Sequence, residues 1–351
     1  MALFETESCR PVSRLVSPGG GDREPQLTQA PFKFLLAMCA VPLLVTAACG
    51  SDYEGDVLSD RVVSGASITT DDRFVYWTDS RGRLQRVPKT GGTSETLADD
   101  KSYASPLSSL AVSSGTAYWS TLGAAGGVIS AQSLDGGPEM TIATHLPAGD
   151  MNPWTIAVDA TDLYFGTFAG AEAARYGLYK VPLTGGATTR VAQGPVVDFV
   201  LEGANVHYVV LENLSPPTGP ILFRYTVRSA PRAGGDPITL ASGSDQVHFI
   251  TAGGGHLFWS AEGREGTITS LRLPDGPPTS FAAGQDSLSR MATDGVNVYW
   301  AANGAVMRAP VDGGKPVRIA SRAPYFTGPL AVDSTSVYWF GADNTLRKAP
   351  K

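Results

Sequence analysis

The sequence predicts an all-β fold: a seven-bladed β-propeller of four-stranded antiparallel blades, with six or eight blades as the weaker fits. Three observations lead there. An aromatic pair recurs at Tyr76-Trp77, Tyr118-Trp119, Tyr164-Phe165, His207-Tyr208, Phe258-Trp259, Tyr299-Trp300 and Tyr338-Trp339, spaced by 42, 46, 43, 51, 41 and 39 residues. A period near 40 residues with short strands is that of propeller blades. Gly-Gly doublets at Gly91, Gly136, Gly185, Gly234 and Gly313 fall after the aromatic pairs, where tight hairpin turns demand φ > 0. The 40 glycines and 25 prolines are spread along the chain, as regularly spaced turns require.

Each unit reads as four strands in order. An apolar strand comes first, as in Leu110–Val112, Ile156–Val158 and Leu330–Val332. A turn rich in Asp, Gly and Ser follows, and its length is the same in all seven units. The aromatic strand is second. The third alternates, as in Leu84–Pro88, Leu178–Pro182 and Val306–Pro310. The fourth follows the glycine turn and ends in patterns such as Arg190–Gly194 and Thr239–Gly243. The seventh copy reaches Lys351 straight after LRKAP, without a fourth strand, while Arg61–Gly65 (RVVSG) matches Arg190–Gly194 (RVAQG). The expectation is that Arg61–Gly65 supplies the outer strand of the last blade, closing the ring and removing an open sheet edge. The aromatic pairs are expected to be core, because stacked blades bury both faces of every sheet.

The domain reading is an N-terminal extension and signal over residues 1–48, a tether over 49–60 and a single propeller over 61–351. The uncharged run Phe34–Ala48, preceded by Lys33, is fifteen residues long, short of the ~20 that span a bilayer. It fits the apolar region of a secretory signal, with small residues Thr46, Ala47 and Ala48 suited to cleavage; a buried helix is the other reading. The mixed-charge residues 1–32 read either as an unusually long leader or as an over-extended start. The three cysteines are Cys9, Cys39 and Cys49, so the body beyond them holds no disulfide or zinc–thiolate site and must be stabilised by packing. A net charge of −6 without a basic patch gives no footing for nucleic acid. No zincin, P-loop or G-x-S-x-G motif occurs, and neither a metal nor a cofactor is expected.

The segment TAACGS, Thr46–Ser51, resembles a bacterial lipoprotein lipobox. The resemblance implies that Cys49 is lipidated through its sulfur and becomes the new N-terminus, anchoring the chain to the cell envelope; cleavage after Ala48 by an ordinary signal peptidase is the alternative. The literal YWTD at Tyr76–Asp79 resembles the repeat of low-density-lipoprotein-receptor-type propellers, over about residues 61–351. Those have six blades and carry the acidic residue in most repeats, whereas here only Asp79 matches, so their inter-blade aspartate network is not expected. The chain is more similar to secreted bacterial propellers of the same grammar, which implies binding or scaffolding and no reaction.

Length varies in the strand-two-to-three loops, including Phe168–Gly177 and Leu211–Pro220, and in the blade-to-blade loops, including Thr144–Trp154 and Ser321–Pro329. Both classes emerge on one face of an up-and-down blade, and loops on a rigid scaffold commonly carry function. The candidate binding residues on that face are Asp150, Trp154, Asp198, His248, Arg290, Tyr325 and Phe326. Three of these are aromatics where the repeat demands none, a residue type common among interface anchors; plugging the mouth is their alternative role. Asp198 and His248, from adjacent blades, are the one pair with acid–base potential. His207 occupies a core aromatic slot as hydrogen-bonded packing. The expected function is non-enzymatic recognition of a protein, peptide or glycan by an envelope-anchored monomer that touches the membrane only through its lipid. The alternatives are a lyase or hydrolase with its site at the channel mouth, and a structural envelope protein without a small ligand.

Overall fold

The computed structural model describes residues 53–60, 62–63, 65, 67–99, 109–123, 126–144, 155–167, 175–215, 222–262, 266–323 and 328–351. Seven four-stranded antiparallel sheets form a ring, a seven-bladed β-propeller. Blade one is β2 (Ser67–Thr70), β3 (Phe74–Thr78), β4 (Arg83–Pro88) and β5 (Glu95–Asp99). Blade two is β6 (Ser109–Ser113), β7 (Thr116–Gly123), β8 (Gly126–Ser133) and β9 (Met140–Ala143), and blade three is β10 (Ile156–Val158), β11 (Asp162–Thr167), β12 (Gly177–Pro182) and β13 (Thr189–Gln193). Blade four is β14 (Val196–Glu202), β15 (Asn205–Asn213), β16 (Phe223–Pro231) and β17 (Ile238–Gly243), and blade five is β18 (Gln246–Gly253), β19 (His256–Glu262), β20 (Thr267–Arg272) and β21 (Thr279–Ala283). Blade six is β22 (Ala292–Thr293), β23 (Asn297–Ala302), β24 (Ala305–Pro310) and β25 (Val317–Ser321). Blade seven joins β26 (Leu330–Val332), β27 (Ser336–Phe340) and β28 (Leu346–Pro350) to β1 (Asp56–Ser59) from the other end of the chain.

The ring is thus closed by an N-terminal strand, but not by the residues the sequence suggested. β1 pairs with β28 through Asp56↔Lys348, Val57↔Arg347 and Ser59↔Leu346. Val62, Val63 and Gly65 of the expected segment lie outside any strand, in the connection to β2. The match between RVVSG and RVAQG misled because it weighed identity over register: Leu58, which sits against the blade-one glycine turn, is what the outer slot needs, and Gly92 N–H donates to its carbonyl at 3.1 Å. The closing strand therefore lies inside the stretch read as tether.

The aromatic pairs are core, as their periodicity required. Trp77, Trp119, Trp259, Trp300 and Trp339 are among the largest fully buried side chains, with Tyr76, Tyr164, Tyr208, Tyr299 and Tyr338 beside them. Seven hydrophobic clusters form, one in each seam between neighbouring blades. Truncating one such aromatic to Ala costs about 3–5 kcal/mol.

On the face of the short turns, the seams carry a second device. An Asp lies five residues before the first aromatic in four blades, at Asp71, Asp159, Asp294 and Asp333. Its Oδ1 caps the turn by accepting two backbone N–H groups, as Asp294 does from Val296 (2.9 Å) and Asn297 (2.7 Å). Its Oδ2 accepts from the Tyr hydroxyl at 2.6 Å in Asp71–Tyr76, 3.0 Å in Asp294–Tyr299 and 2.7 Å in Asp333–Tyr338. A cation of the next blade then closes three of these seams: Arg232 on Asp159 (3.4 Å), Lys351 on Asp294 (2.6 Å) and Lys89 on Asp333 (2.5 Å). Where the Asp is absent, at Ser113, Glu202 and Gly253, the facing position of the next blade is Leu183, Leu273 or Val311. At Gly253 an added Cβ would lie 2.6 Å from Thr293 Cγ2 of blade six, which bars Asp from that slot. Asp79, the one match to the YWTD acid, instead closes its own loop, accepting from the backbone N–H of Arg81 and Arg83 and from Arg83 Nε.

His207 departs from expectation in one respect. It is buried at 3% exposure, but its Nδ1 finds no hydrogen-bond partner among the described residues. Burial pushes its pKa down to about 4, so it packs as a neutral ring.

Candidate functional site

The innermost strands define a collar at the other mouth of the channel. In six blades one inner-strand residue stands opposite the second aromatic, Ile68↔Trp77, Leu110↔Trp119, Ile156↔Phe165, Phe199↔Tyr208, Ile250↔Trp259 and Leu330↔Trp339, and in blade six, whose β22 begins at Ala292, Met291 holds that position in the repeat. The residue before it forms the collar: Ser67, Ser109, Thr155, Asp198, Phe249, Arg290 and Pro329. The aromatic register repeats; this register does not.

Hydrogen bonds run around the collar from blade to blade. Ser67 Oγ accepts from Leu110 N–H at 3.2 Å, and Ser109 Oγ from Ile156 N–H at 3.0 Å. Thr155 Oγ donates to Asp198 Oδ1 at 2.7 Å, and Asp198 Oδ2 accepts from Ile250 N–H at 3.0 Å. Blades one to five are thereby linked in series.

Arg290 of blade six then reaches back to the far members of this chain. Its Nη1 donates to Asp198 Oδ1 at 3.2 Å and its Nη2 to Thr155 Oγ at 3.2 Å, while its guanidinium lies over the Phe249 ring, 5.1 Å from the centroid. Ser289 holds the approach: its N–H donates to Ala301 carbonyl at 2.9 Å and its Oγ accepts from Ala301 N–H at 2.8 Å. Asp198 is 1% exposed and the Arg290 side chain 34%. The negative end of the pair is sealed in the wall and the positive end faces the mouth.

Local irregularities in the sheets aim these groups. β14 slips register between Val196 and Asp198, and β18 between Val247 and Ile250. Bulges of this kind re-aim side chains at barrel rims and beside sites. They bring Asp198, His248 and Phe249 to the rim, with the His248 ring centroid 6.1 Å from that of Phe249.

Of the seven residues the sequence nominated, Asp198, His248 and Arg290 come to this mouth. Asp150, Trp154, Tyr325 and Phe326 lie outside the described residues, as does Cys49. Asp198 serves as a brace, its carboxylate held by Thr155, Ile250 N–H and Arg290. Sequence reasoning missed Ser67, Ser109, Thr155 and Phe249, although aligning the seven units and reading one position upstream of each apolar triplet would have found them. Among the described residues no group of three or more His, Cys, Asp or Glu is placed to hold a metal ion.

No family model matches the chain, and no curated protein does. Solved structures do. A nidogen/laminin complex aligns with a TM-score of 0.50 at 15% identity, over 69% of this chain and 91% of that one. YCF48 bound to D1 peptide aligns at 0.63 and 12% identity, over 86% and 96%. The WD40 propeller domain of Doa1 aligns at 0.60 and 11% identity, over 85% and 96%. At these identities the likeness establishes the β-propeller fold.

Proposed function

We propose that this chain is a recognition propeller, tethered through Cys49 to a bacterial envelope, that binds a protein, peptide or glycan segment across the collar mouth. The observation that carries the reading is the asymmetry between the two faces. On one, the first turn pairs residues five apart in every blade, from Val112↔Ala117 to Val332↔Val337. On the other, blade-to-blade connections run from two residues (194–195) to twelve (144–155). The non-repeating residues of the collar sit on that same face. A constant face is what ring closure needs; a varied face on a braced rim suits a particular partner.

Two of the similar solved structures are complexes, one of nidogen with laminin and one of YCF48 with D1 peptide, and they support protein or peptide over glycan as the partner class. The engagement of Asp198 by three donors weighs against acid–base chemistry at the rim.

The test is crosslinked capture from native envelope by the wild-type chain, by the triple variant Trp154→Ala, Tyr325→Ala, Phe326→Ala, and by Val296→Asp on the turn face. A partner kept by wild type and Val296→Asp but lost by the triple variant supports the reading. Equal capture by all three overturns the choice of face.

A further inference from the structure

We propose that the propeller rides edge-on against the lipid bilayer, with the outer strands of blades six and seven at headgroup level and the channel axis along the membrane plane. This rests on the anchoring of Cys49 and assigns the surface that faces the lipid.

The first argument is the reach of the tether. Tyr53 is already fixed to the ring, its carbonyl accepting from Ser321 N–H at 2.7 Å and Ser321 Oγ at 3.1 Å. Glu54 pairs with Arg322 at 2.5 Å, and Arg347 Nη1 donates to the carbonyls of Glu54 and Gly55 at 3.1 Å each. From Cys49 to Tyr53 there are four Cα–Cα steps of 3.80 Å, so the lipidated residue stands at most about 15 Å from a residue bound to the rim. A tether of that length holds whatever surface surrounds Tyr53 against the bilayer.

The second argument is the chemistry of that surface. The outward register of the outer strands holds Thr96, Thr141, Arg190, Thr239, Ser280 and Arg318 in blades one to six, and Val57 in blade seven. In that register the apolar residue falls four residues from Tyr53; one position earlier on the outer strands Met140 of blade two, Ile238 of blade four and Val317 of blade six are apolar and exposed, and of these Val317 lies on the strand beside β1's blade. Tyr53 is 41% exposed, Val57 50%, and Val317 on the neighbouring outer strand β25 51%. Tyrosine is enriched at membrane–water interfaces. Lys315 and Arg318 flank Val317 with cationic heads on long apolar stems that suit the same level. Three such side chains orient a protein that a lipid already holds; they do not anchor it alone. In this pose both mouths of the channel, and the collar with them, open sideways and clear of lipid.

No cysteine follows Cys49, so a single introduced cysteine is a unique labelling position in the mature chain. Lipidated protein carrying Val57→Cys, Val317→Cys, Thr189→Cys or Val296→Cys is labelled with a fluorophore and reconstituted into phosphatidylethanolamine–phosphatidylglycerol vesicles containing doxyl lipid. Quenching several-fold stronger at 57 and 317 than at 189 (the outer strand of blade three) and 296 (the turn face) is the expected result, reduced at 317 by Tyr53→Ser in a chain that keeps its lipid. Equal quenching at all four positions, or the strongest at 296, overturns the edge-on pose while leaving the anchor intact. An unmodified Cys49 by mass spectrometry, with Cys49→Ala leaving membrane association unchanged, overturns the anchor and the pose with it.

Discussion

Lys351 Nζ on blade seven lies 2.6 Å from Asp294 Oδ2 on blade six. Its counterpart across the other side of the same blade is Lys89 of blade one, 2.5 Å from Asp333 Oδ2 of blade seven. Blade seven is the blade assembled from both ends of the described chain, so the sheet without covalent continuity is ion-paired to both neighbours. Exposed pairs contribute little, but these side chains are mostly buried and each carboxylate also caps a turn and accepts a Tyr hydroxyl.

Asp294→Asn and Asp333→Asn should each lower stability by about 1–3 kcal/mol, discounted for partial exposure. Burial alone would raise both carboxyls, but the Lys, Tyr and backbone donors outweigh it and hold them well below the usual range. A depressed folded value makes the contribution complete above the unfolded pKa of about 3.9 and lost as pH falls towards the folded value. The wild-type advantage in urea midpoint should thus be the same at pH 7 and pH 5 and shrink at pH 3. An advantage that vanishes by pH 5 contradicts the assignment.

His207 gives a separate acid limb. Its folded pKa of about 4 lies below the unfolded value of about 6.5. The neutral ring stabilises fully above about 6.5, and that contribution is lost as pH falls through the window down to 4. His207→Phe should flatten the urea midpoint between pH 7 and pH 4.5 relative to wild type. Parallel curves in the two proteins would refute burial of a titrating ring.

At the collar, Asp198→Ala strands the Ile250 N–H and the Arg290 guanidinium and should cost about 3–5 kcal/mol. Arg290→Ala leaves a sealed carboxylate with two neutral donors and should cost a similar amount. A double-mutant cycle should return a coupling of about 1–3 kcal/mol. Additive losses would mean that the two side chains do not share a bond in solution.

Removing β1 by deleting residues 50–59 should expose the β28 edge, whose partner register is Asp56↔Lys348 to Ser59↔Leu346. Open edges recruit other strands, so light scattering after size exclusion should show concentration-dependent association. A deletion variant that stays monomeric with unchanged stability would show that β1 is dispensable.

The seven blades and their core were legible because stacking forces aromatics into one register, and a repeated demand leaves a repeated signal. The closing strand lies a few residues before the stretch that matches by identity, because its pairing depends on one apolar residue, Leu58, and short outer strands resemble one another. The collar was half legible. Asp198 and Arg290 stood out as charges near strand starts, but their bond joins residues 92 apart on non-adjacent blades, and nothing local encodes it. Thr155 and Ser109 are ordinary residues whose meaning comes only from the neighbouring blade, the Asp198 carboxylate for Thr155 and the Ile156 N–H for Ser109.

The split of each acid from its cation across a seam also bears on how such a ring can change through duplication. Asp159 is spelled in one repeat and Arg232 in the next; Asp294 and Lys351 are divided in the same way. A copied or transplanted repeat therefore carries half of one lock and half of another. Moved next to a repeat that supplies leucine at the facing position, its acid would be left without a cation. The repeats look interchangeable by their aromatics, yet recombination that respects a period of about 40 residues changes which seams carry an ion pair; the seam between blades one and two, where Asp71 faces Leu134, shows that the ring also closes over an acid opposite leucine.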